Sequence, residues 1–262
     1  MCNKNIIFAK NRPSMIEIEN LHIEYPNLPV IENVSFSIKE GELVSIIGAS
    51  GCGKTTLLKV IGGLLTENGN IKITGNISIK GLTPLEAKSK RLFGYSSQSP
   101  ILLPWRNVEK NIRLPLEIFG IQDFSAVKNI INSLGLSGFE TAMPNELSGG
   151  MKQRASLARA IIHNPPILLM DESFGSLDEI TRDSINVFYR DLHNRRGQTA
   201  IFVTHSLREA LFLSDKIFIL TNRPSCIKHI FNVDLPKERS KDLFYEVDYL
   251  NQIKELQYEF FK

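Results

Sequence analysis

The stretch "LVSIIGASGCGKTTLLKV", residues 43–60, decides the fold. It opens with a short apolar run, typical of a strand that is buried on both faces of a sheet. Gly48, the four residues after it and Gly53-Lys54-Thr55 then give the spacing of a P-loop, and a helix-forming segment follows directly. A strand, a glycine-rich loop and a helix in this order predict a phosphate-binding loop at the carboxyl end of a buried strand in an α/β protein.

Each residue type in this loop suits the binding of a nucleoside triphosphate. Glycines let backbone N–H groups converge on a β-phosphate without Cβ atoms in the way. Lys54 can bridge β- and γ-phosphates, and the hydroxyl of Thr55 can hold Mg²⁺. The predicted nucleotide-binding residues of the loop are Gly48, Ala49, Ser50, Gly51, Cys52, Gly53, Lys54, Thr55 and Thr56. The alternative, a glycine-rich turn without a ligand, is disfavoured because strand and helix flank the loop.

A second apolar run, "ILLMDES" at residues 167–173, ends in two acids. A buried strand here would deliver both carboxylates beside the P-loop. Asp171 then suits Mg²⁺, directly or through water, and Glu172 suits orienting and deprotonating an attacking water. The alternative is that one acid only caps the end of the strand.

Hydrophobic patterns predict the rest of the fold. Residues 15–25 and 30–47 alternate apolar and polar side chains, which predicts an N-terminal antiparallel sheet with one wet face. Continuous apolar runs at 43–47, 167–171, 199–204 and 216–220 predict a parallel sheet. Residues from about 100 to 163 show helical periods only. We therefore predict an α/β P-loop NTPase core with a parallel sheet, an N-terminal antiparallel β subdomain and an inserted helical subdomain.

Composition narrows the class of protein. The chain has 262 residues, 42% hydrophobic content and a net charge of +3, as in an ordinary globular protein. This charge is too small to indicate nucleic-acid binding. No run of about 18 apolar residues predicts a membrane span. Residues 1–14 hold too short an apolar piece for a signal peptide, so we predict a flexible tail, a domain over 15–262 and a cytosolic location.

A second helix start also has the properties of an anion site. In "NELSGGMKQRAS", residues 145–156, a serine and two glycines precede a helical run. The first turn of a helix leaves N–H groups unpaired, and the helix dipole adds positive potential. The helix is predicted to place Met151, Ala155, Ala158 and Ile162 on one face and Lys152, Gln153, Arg154 and Arg159 elsewhere.

An ordered set of motifs gives the chain a family resemblance. Along the sequence stand Tyr25, "GASGCGKTT", Gln98, "LSGGMKQR", "ILLMDES", "GSLD" and "VTHS". This set resembles the ATP-binding subunit of ABC transporters over nearly the whole chain, and LSGG is its most diagnostic part. The resemblance implies a head-to-tail dimer, in which Ser148, Gly149 and Gly150 of one subunit cap the ATP held by the P-loop of the other.

The resemblance also implies roles for single residues. Tyr25 matches the aromatic residue that stacks on adenine, with a place in the core as its alternative. Gln98 matches the glutamine that reaches Mg²⁺ and the attacking water, although Ser97 replaces the usual bulky apolar residue before it. His205 matches the histidine that contacts the γ-phosphate, and Asp178 the loop that signals across the dimer. Ser173 stands where the family generally has proline.

The segment "LLPWRNVEKNI", residues 102–112, resembles importers for nitrate, alkanesulfonates such as taurine, and pyrimidine precursors. Trp105 is predicted to be an exposed anchor for a membrane permease; its alternative is burial in the helical subdomain. The implied partners are a second copy of the chain, the permease and, indirectly, an extracytoplasmic solute-binding protein, at the cytoplasmic face of the membrane and without nucleic acid. The rival classes are a stand-alone P-loop enzyme such as a kinase, and a soluble ABC protein of assembly or regulation.

Overall fold

The computed structural model describes residues 13–173 and 178–262. Most of the predicted tail over residues 1–14 lies outside this range, and the first strand already begins at Ser14. None of the helices in the described residues is both long enough and apolar enough to cross a bilayer.

The described strands form two sheets. Their bounds are β1 Ser14–Tyr25, β2 Leu28–Lys39, β3 Leu43–Ile47, β4 Lys72–Ile79, β5 Phe93–Ser96, β6 Ile167–Asp171, β7 Thr199–Val203, β8 Lys216–Leu220 and β9 Ile227–Asn232. The first sheet has the order β2-β1-β4 and is antiparallel throughout. The second has the order β5-β6-β7-β3-β8-β9, parallel except for the β8–β9 pair. The predicted fold class is confirmed.

The helices of the described residues connect these strands. Their bounds are α1 Lys54–Ile61, α2 Pro84–Ser89, α3 Val108–Ile112, α4 Leu114–Ile118, α5 Ser125–Ser133, α6 Gly149–Ile161, α7 Glu179–Arg196, α8 Leu207–Leu213 and α9 Val247–Phe261. Residues 100–163 contain α3 to α6 and no strand. This segment is inserted between β5 and β6, two neighbours in the parallel sheet.

The parallel sheet is buried on both faces, which explains the continuous apolar runs. Along β3, Leu43 and Ile47 belong to one hydrophobic core, whereas Val44 and Ile46 belong to the other. Successive side chains of a strand point to opposite faces, so a strand covered on both sides has no wet position. Since β3, β5, β6 and β7 are parallel, their carboxyl ends lie at one edge, and the loops after them meet there.

Three strands were not predicted: β4, β5 and β9. The run "KITGNISI" of β4 has four polar residues and a glycine among its eight, and only Ile79 is fully buried in it. Its place is fixed by pairing with β1 instead of by its own pattern. β5 has only four residues and contains a glycine, too short a run to show a period.

Candidate active site

The P-loop joins β3 to α1, and the fold around it requires glycine at position 53. Gly53 has φ of 109°, a conformation that residues with a Cβ rarely adopt. A Cβ at Gly53 would also lie 2.6 Å from Cγ1 of Val30, which belongs to the antiparallel sheet. The loop is therefore packed against β2 so closely that only glycine fits.

Lys54 is held inside this loop. Its side chain is buried, and Nζ donates hydrogen bonds to the carbonyl oxygens of Gly48 at 2.8 Å and Ala49 at 3.0 Å. The N–H of Cys52 likewise donates within the loop, to the oxygen of Ala49 at 3.2 Å. Cys52 itself is buried. The ammonium group is thus held inside the loop by the loop's own carbonyl oxygens.

Thr55 and Asp171 lie together, as oxygen ligands for Mg²⁺ require. The hydroxyl of Thr55 donates to Oδ1 of Asp171 at 2.8 Å, and the hydroxyl of Tyr95 donates to Oδ2 at 3.3 Å. Burial raises the pKa of Asp171, although both hydrogen bonds act to lower it. A hydroxyl and a carboxylate side by side fit Mg²⁺, which takes one or two protein oxygens together with phosphate oxygens. Tyr95 was not predicted as part of this site.

Glu172, Gln98 and His205 form a second cluster. Nε2 of Gln98 donates to Oε2 of Glu172 at 2.8 Å, and Nδ1 of His205 lies 3.7 Å from the same oxygen. The three side chains come from the ends of β5, β6 and β7, so the parallel sheet brings them together. The carboxylate is only partly exposed, while the imidazole and the amide reach into solvent. This arrangement can hold a water molecule and accept a proton from it.

The backbone at Glu172 has an unusual conformation. Its φ is 45°, in the left-handed region, and its N–H donates to the oxygen of Val203 at 2.8 Å. The next residue, Ser173, is fully buried and donates its hydroxyl to the oxygen of Ser96 at 3.2 Å. A side-chain hydrogen bond to β5 therefore holds Ser173, the residue directly after Glu172, in place.

An open cavity of about 340 Å³ lies over the P-loop. Tyr25, which is predicted to stack on adenine, lines this cavity at the end of β1. The remaining lining residues are Leu28, Val30, Ser50, Gly51, Gly53, Lys54, Thr55, Thr56, Gln98, Glu172 and Arg223. Arg223 was not predicted. The signal available in the sequence was a cation shortly after an apolar strand that ends at the same edge as the P-loop strand.

Ser148, Gly149, Gly150 and Asp178 are not among the residues that line this cavity. Ser148 caps α6 by accepting a hydrogen bond from the N–H of Met151 at 3.3 Å. Asp178 caps α7 in the same way, accepting from Thr181 at 2.9 Å. Ser148, Gly149 and Asp178 are exposed. The structure thus brings the P-loop, Gln98 and Glu172 together in one cavity. The residues predicted to act across the dimer, 148–150 and 178, lie outside it.

Two further buried side chains near the site were not predicted to belong to it. Gln153, predicted to lie off the face formed by Met151, Ala155, Ala158 and Ile162, is buried, with Nε2 at 3.4 Å from the oxygens of Ser97 and Gln98. α6 therefore packs against the loop that carries Gln98. Glu209, which was not singled out, is buried behind the loop that carries His205 and accepts a hydrogen bond from Thr204 at 2.5 Å.

Trp105 lies on the surface of the helical segment. Its side chain is 71% exposed, and that of Ile101, four residues earlier in the chain, is 64% exposed. Burial in the helical subdomain, the alternative for Trp105, is therefore wrong. Large apolar side chains that face water in one cluster are characteristic of a protein-binding surface.

Comparison with known proteins gives one consistent result. The family described as ABC transporter matches residues 31–175. The chain is 39% identical over 212 residues to the aliphatic sulfonates import ATP-binding protein SsuB of Bacillus cereus, covering 81% of this chain and 82% of that protein. It is 35% identical over 214 residues to the taurine import ATP-binding protein TauB of Escherichia coli, covering 80% and 81%.

Solved structures agree with these sequence relatives. The fold is similar to a dimeric ATP-binding cassette in a post-hydrolysis state with ADP and Pi, with a TM-score of 0.72 and 29% identity. The match covers 85% of this chain and 100% of that one.

Proposed function

This chain belongs to the ABC transporter family as an ATPase of the importer type, and from that premise we propose that it drives solute uptake through a separate permease. The observation that carries the proposal is the position of the two phosphate-binding helix starts. The P-loop lies beside Glu172, Gln98 and Thr55 in one cavity, whereas Ser148 and Gly149 face outward, apart from it. A second copy packed head to tail supplies what each cavity lacks.

The residues of the cavity divide the work of hydrolysis. The N–H groups of the P-loop and Lys54 hold the phosphates, and Tyr25 stacks on the adenine. Thr55, Asp171 and Gln98 would hold Mg²⁺, which would supply charge neutralisation at the phosphates when bound. Glu172 accepts a proton from the attacking water, whose oxygen forms the new bond to the γ-phosphorus as the bond to ADP breaks. Gln98 and His205 orient this water and the γ-phosphate.

The dimer couples nucleotide binding to movement. Ser148, Gly149 and Gly150 of one subunit place the start of α6 against the γ-phosphate on the other, and Asp178 reaches across to the opposite site. ATP then bridges the subunits, and its hydrolysis removes the bridge. The exposure of Ser148, Gly149 and Asp178 in the single chain supports this assignment.

The surface around Trp105 is the proposed contact with the permease. Its apolar members are Ile101, Leu102, Leu103, Pro104 and Trp105. Leu102 also packs against the larger of the two hydrophobic cores, so this surface is directly connected to the core of the protein. The position at the cytoplasmic face of the membrane follows from this contact.

The solute class rests on the relatives. Sulfonate and taurine import proteins are similar over four fifths of the chain, so we propose a small anion such as a sulfonate, taurine or nitrate. An extracytoplasmic binding protein would deliver it. The second candidates are an importer of pyrimidine precursors and a soluble ABC ATPase of assembly or regulation.

A pull-down from detergent-solubilised membranes tests this proposal. The tagged chain should bring down an integral membrane protein, and cells that lack the gene should lose uptake of one small anion. Recovery of soluble partners alone, with anion uptake unchanged, would favour assembly or regulation. Purified chain that binds no ATP would contradict the proposed use of the cavity.

A further inference from the structure

We propose that Arg223 is a nucleotide-binding residue whose guanidinium group pairs with the phosphate chain of ATP. The inference rests on the proposed function, because it assigns a further contact to the same cavity. Arg223 lies in the segment between β8 and β9 and lines the cavity together with Tyr25 and Lys54.

The segment that carries Arg223 is fastened on both sides. The N–H of Ser225 donates to the oxygen of Val30 at 2.9 Å, and the N–H of Glu32 donates to the oxygen of Ser225 at 2.9 Å. The buried hydroxyl of Ser225 donates to the oxygen of Cys52 in the P-loop. These bonds tie the backbone of the segment that carries Arg223 to β2 and to the P-loop at once.

The guanidinium group lies directly over the P-loop. Nη2 of Arg223 is 2.9 Å from the point that a Cβ on Gly51 would occupy. Gly51 also has φ of 75°, so a side chain there would be strained as well as crowded. Glycine at position 51 therefore lets the arginine approach the loop.

No carboxylate neutralises this arginine in the part of the chain that the structure describes. Neither an ion pair nor a side-chain hydrogen bond joins Arg223 to any residue of 13–173 or 178–262, and its side chain is exposed. Lys54, the other cation of the cavity, is already bonded to two carbonyl oxygens. An unpaired guanidinium beside a phosphate loop is suited to phosphate oxygens, because its planar fork of donors matches them bidentately.

The affinity of the single chain for MgADP tests this assignment. Calorimetry at a concentration where the protein is monomeric excludes contacts from a second copy. We expect Arg223→Gln to weaken MgADP binding about three- to tenfold, since the group is exposed and partly screened by solvent. Arg223→Lys should lie in between, because it keeps the charge and loses the fork. The difference from wild type should shrink as salt is added.

Arg195→Gln is the matched control. Arg195 is an exposed arginine on α7 whose side chain pairs with Asp191, and its replacement removes the same charge. It should leave MgADP affinity unchanged.

The outcomes separate this inference from the proposed function. If wild type binds MgADP and Arg223→Gln binds it equally well, the assignment of Arg223 is wrong while the proposed function stands. A loss seen only with ATP in the dimer would also overturn it, because Arg223 would then contact the second subunit. If Arg223→Gln does not fold, Arg223→Lys decides in the same way. Failure of the wild type to bind would overturn both.

Discussion

The two helix starts that we propose to face phosphate differ in what holds them. The start of α1 is enclosed by its own chain: Lys54 bonds to the loop, and Gly53 packs against Val30. The start of α6 is exposed, and a Cβ on Gly149 would meet nothing within 4 Å. Glycine at 53 is therefore required by the fold of this chain, whereas nothing described in the chain requires it at 149. We infer that the reason for Gly149 is a contact outside the single chain.

The sharpest test of this comparison removes the proposed general base, the carboxylate of Glu172, and leaves both helix starts intact. Glu172→Gln should lower ATP hydrolysis about a thousandfold, the middle of the range for a general base, while nucleotide binding persists. With ATP and Mg²⁺ the variant should accumulate as a dimer, measured by size-exclusion chromatography with light scattering. A monomer with ATP demonstrably bound would break the comparison.

The next test places a charge at one helix start. Gly149→Asp puts a carboxylate in the first turn of α6, where the helix dipole favours it and space is free, so the fold should keep its stability. In the proposed dimer the same carboxylate would meet a phosphate, and turnover should fall about thirtyfold, equivalent to roughly 2 kcal/mol. Steady-state ATPase and monomer MgADP affinity measure the two effects.

Gly53→Ala is the matched variant for Gly149→Asp. It should lose thermal stability and nucleotide affinity together, because φ of 109° and Val30 both oppose a Cβ. If both glycine variants lower the monomer's MgADP affinity equally, the two helix starts do not differ as described.

His193 on α7 tests the stability of the fold separately from nucleotide binding. Burial, and then the charge of Arg190, lower the pKa of His193 to about 4, from its usual 6.5. A lowered pKa means that the folded state disfavours the proton. The neutral form of His193 therefore contributes stability that is complete above pH 6.5 and is lost as pH falls toward 4. The free energy of unfolding should be lower by about 2 kcal/mol at pH 5. Urea unfolding at pH 7.5 and 5 measures it.

His193→Asn should remove this part of the acid sensitivity, whereas His22→Asn, at an exposed position, should retain it. Neither change should alter MgADP affinity at pH 7.5. An unchanged acid limb in His193→Asn would show that other groups cause it.

The smallest effect is expected at the surface around Trp105. Trp105→Glu should reduce recovery of the permease about three- to tenfold, as for one exposed anchor of an interface. Basal ATPase and thermal stability should stay near those of wild type, because the side chain is 71% exposed. Unfolding of the variant would contradict the exposed position.

The sequence predicts best what depends on neighbours along the chain. The P-loop, the acids after β6 and the strands buried on both faces each occupy a short continuous segment. The positions of β4, Gln153 and Arg223 depend instead on residues far away. β4 pairs with β1, Gln153 meets the loop of Gln98, and Arg223 lies over Gly51. No local period records such contacts, because a polar residue on a surface and one that faces a buried carbonyl look the same in sequence.

The backbone of Glu172 sets chemistry against folding. Its φ of 45° is a conformation that glycine and asparagine adopt more readily than glutamate. Neither of those residues carries a carboxylate that can take a proton. A laboratory selection for heat resistance alone would therefore enrich glycine or asparagine at this position and return a sturdier, inactive protein. We infer that selection for ATP hydrolysis has kept glutamate at position 172, although its backbone conformation is less favourable for this residue.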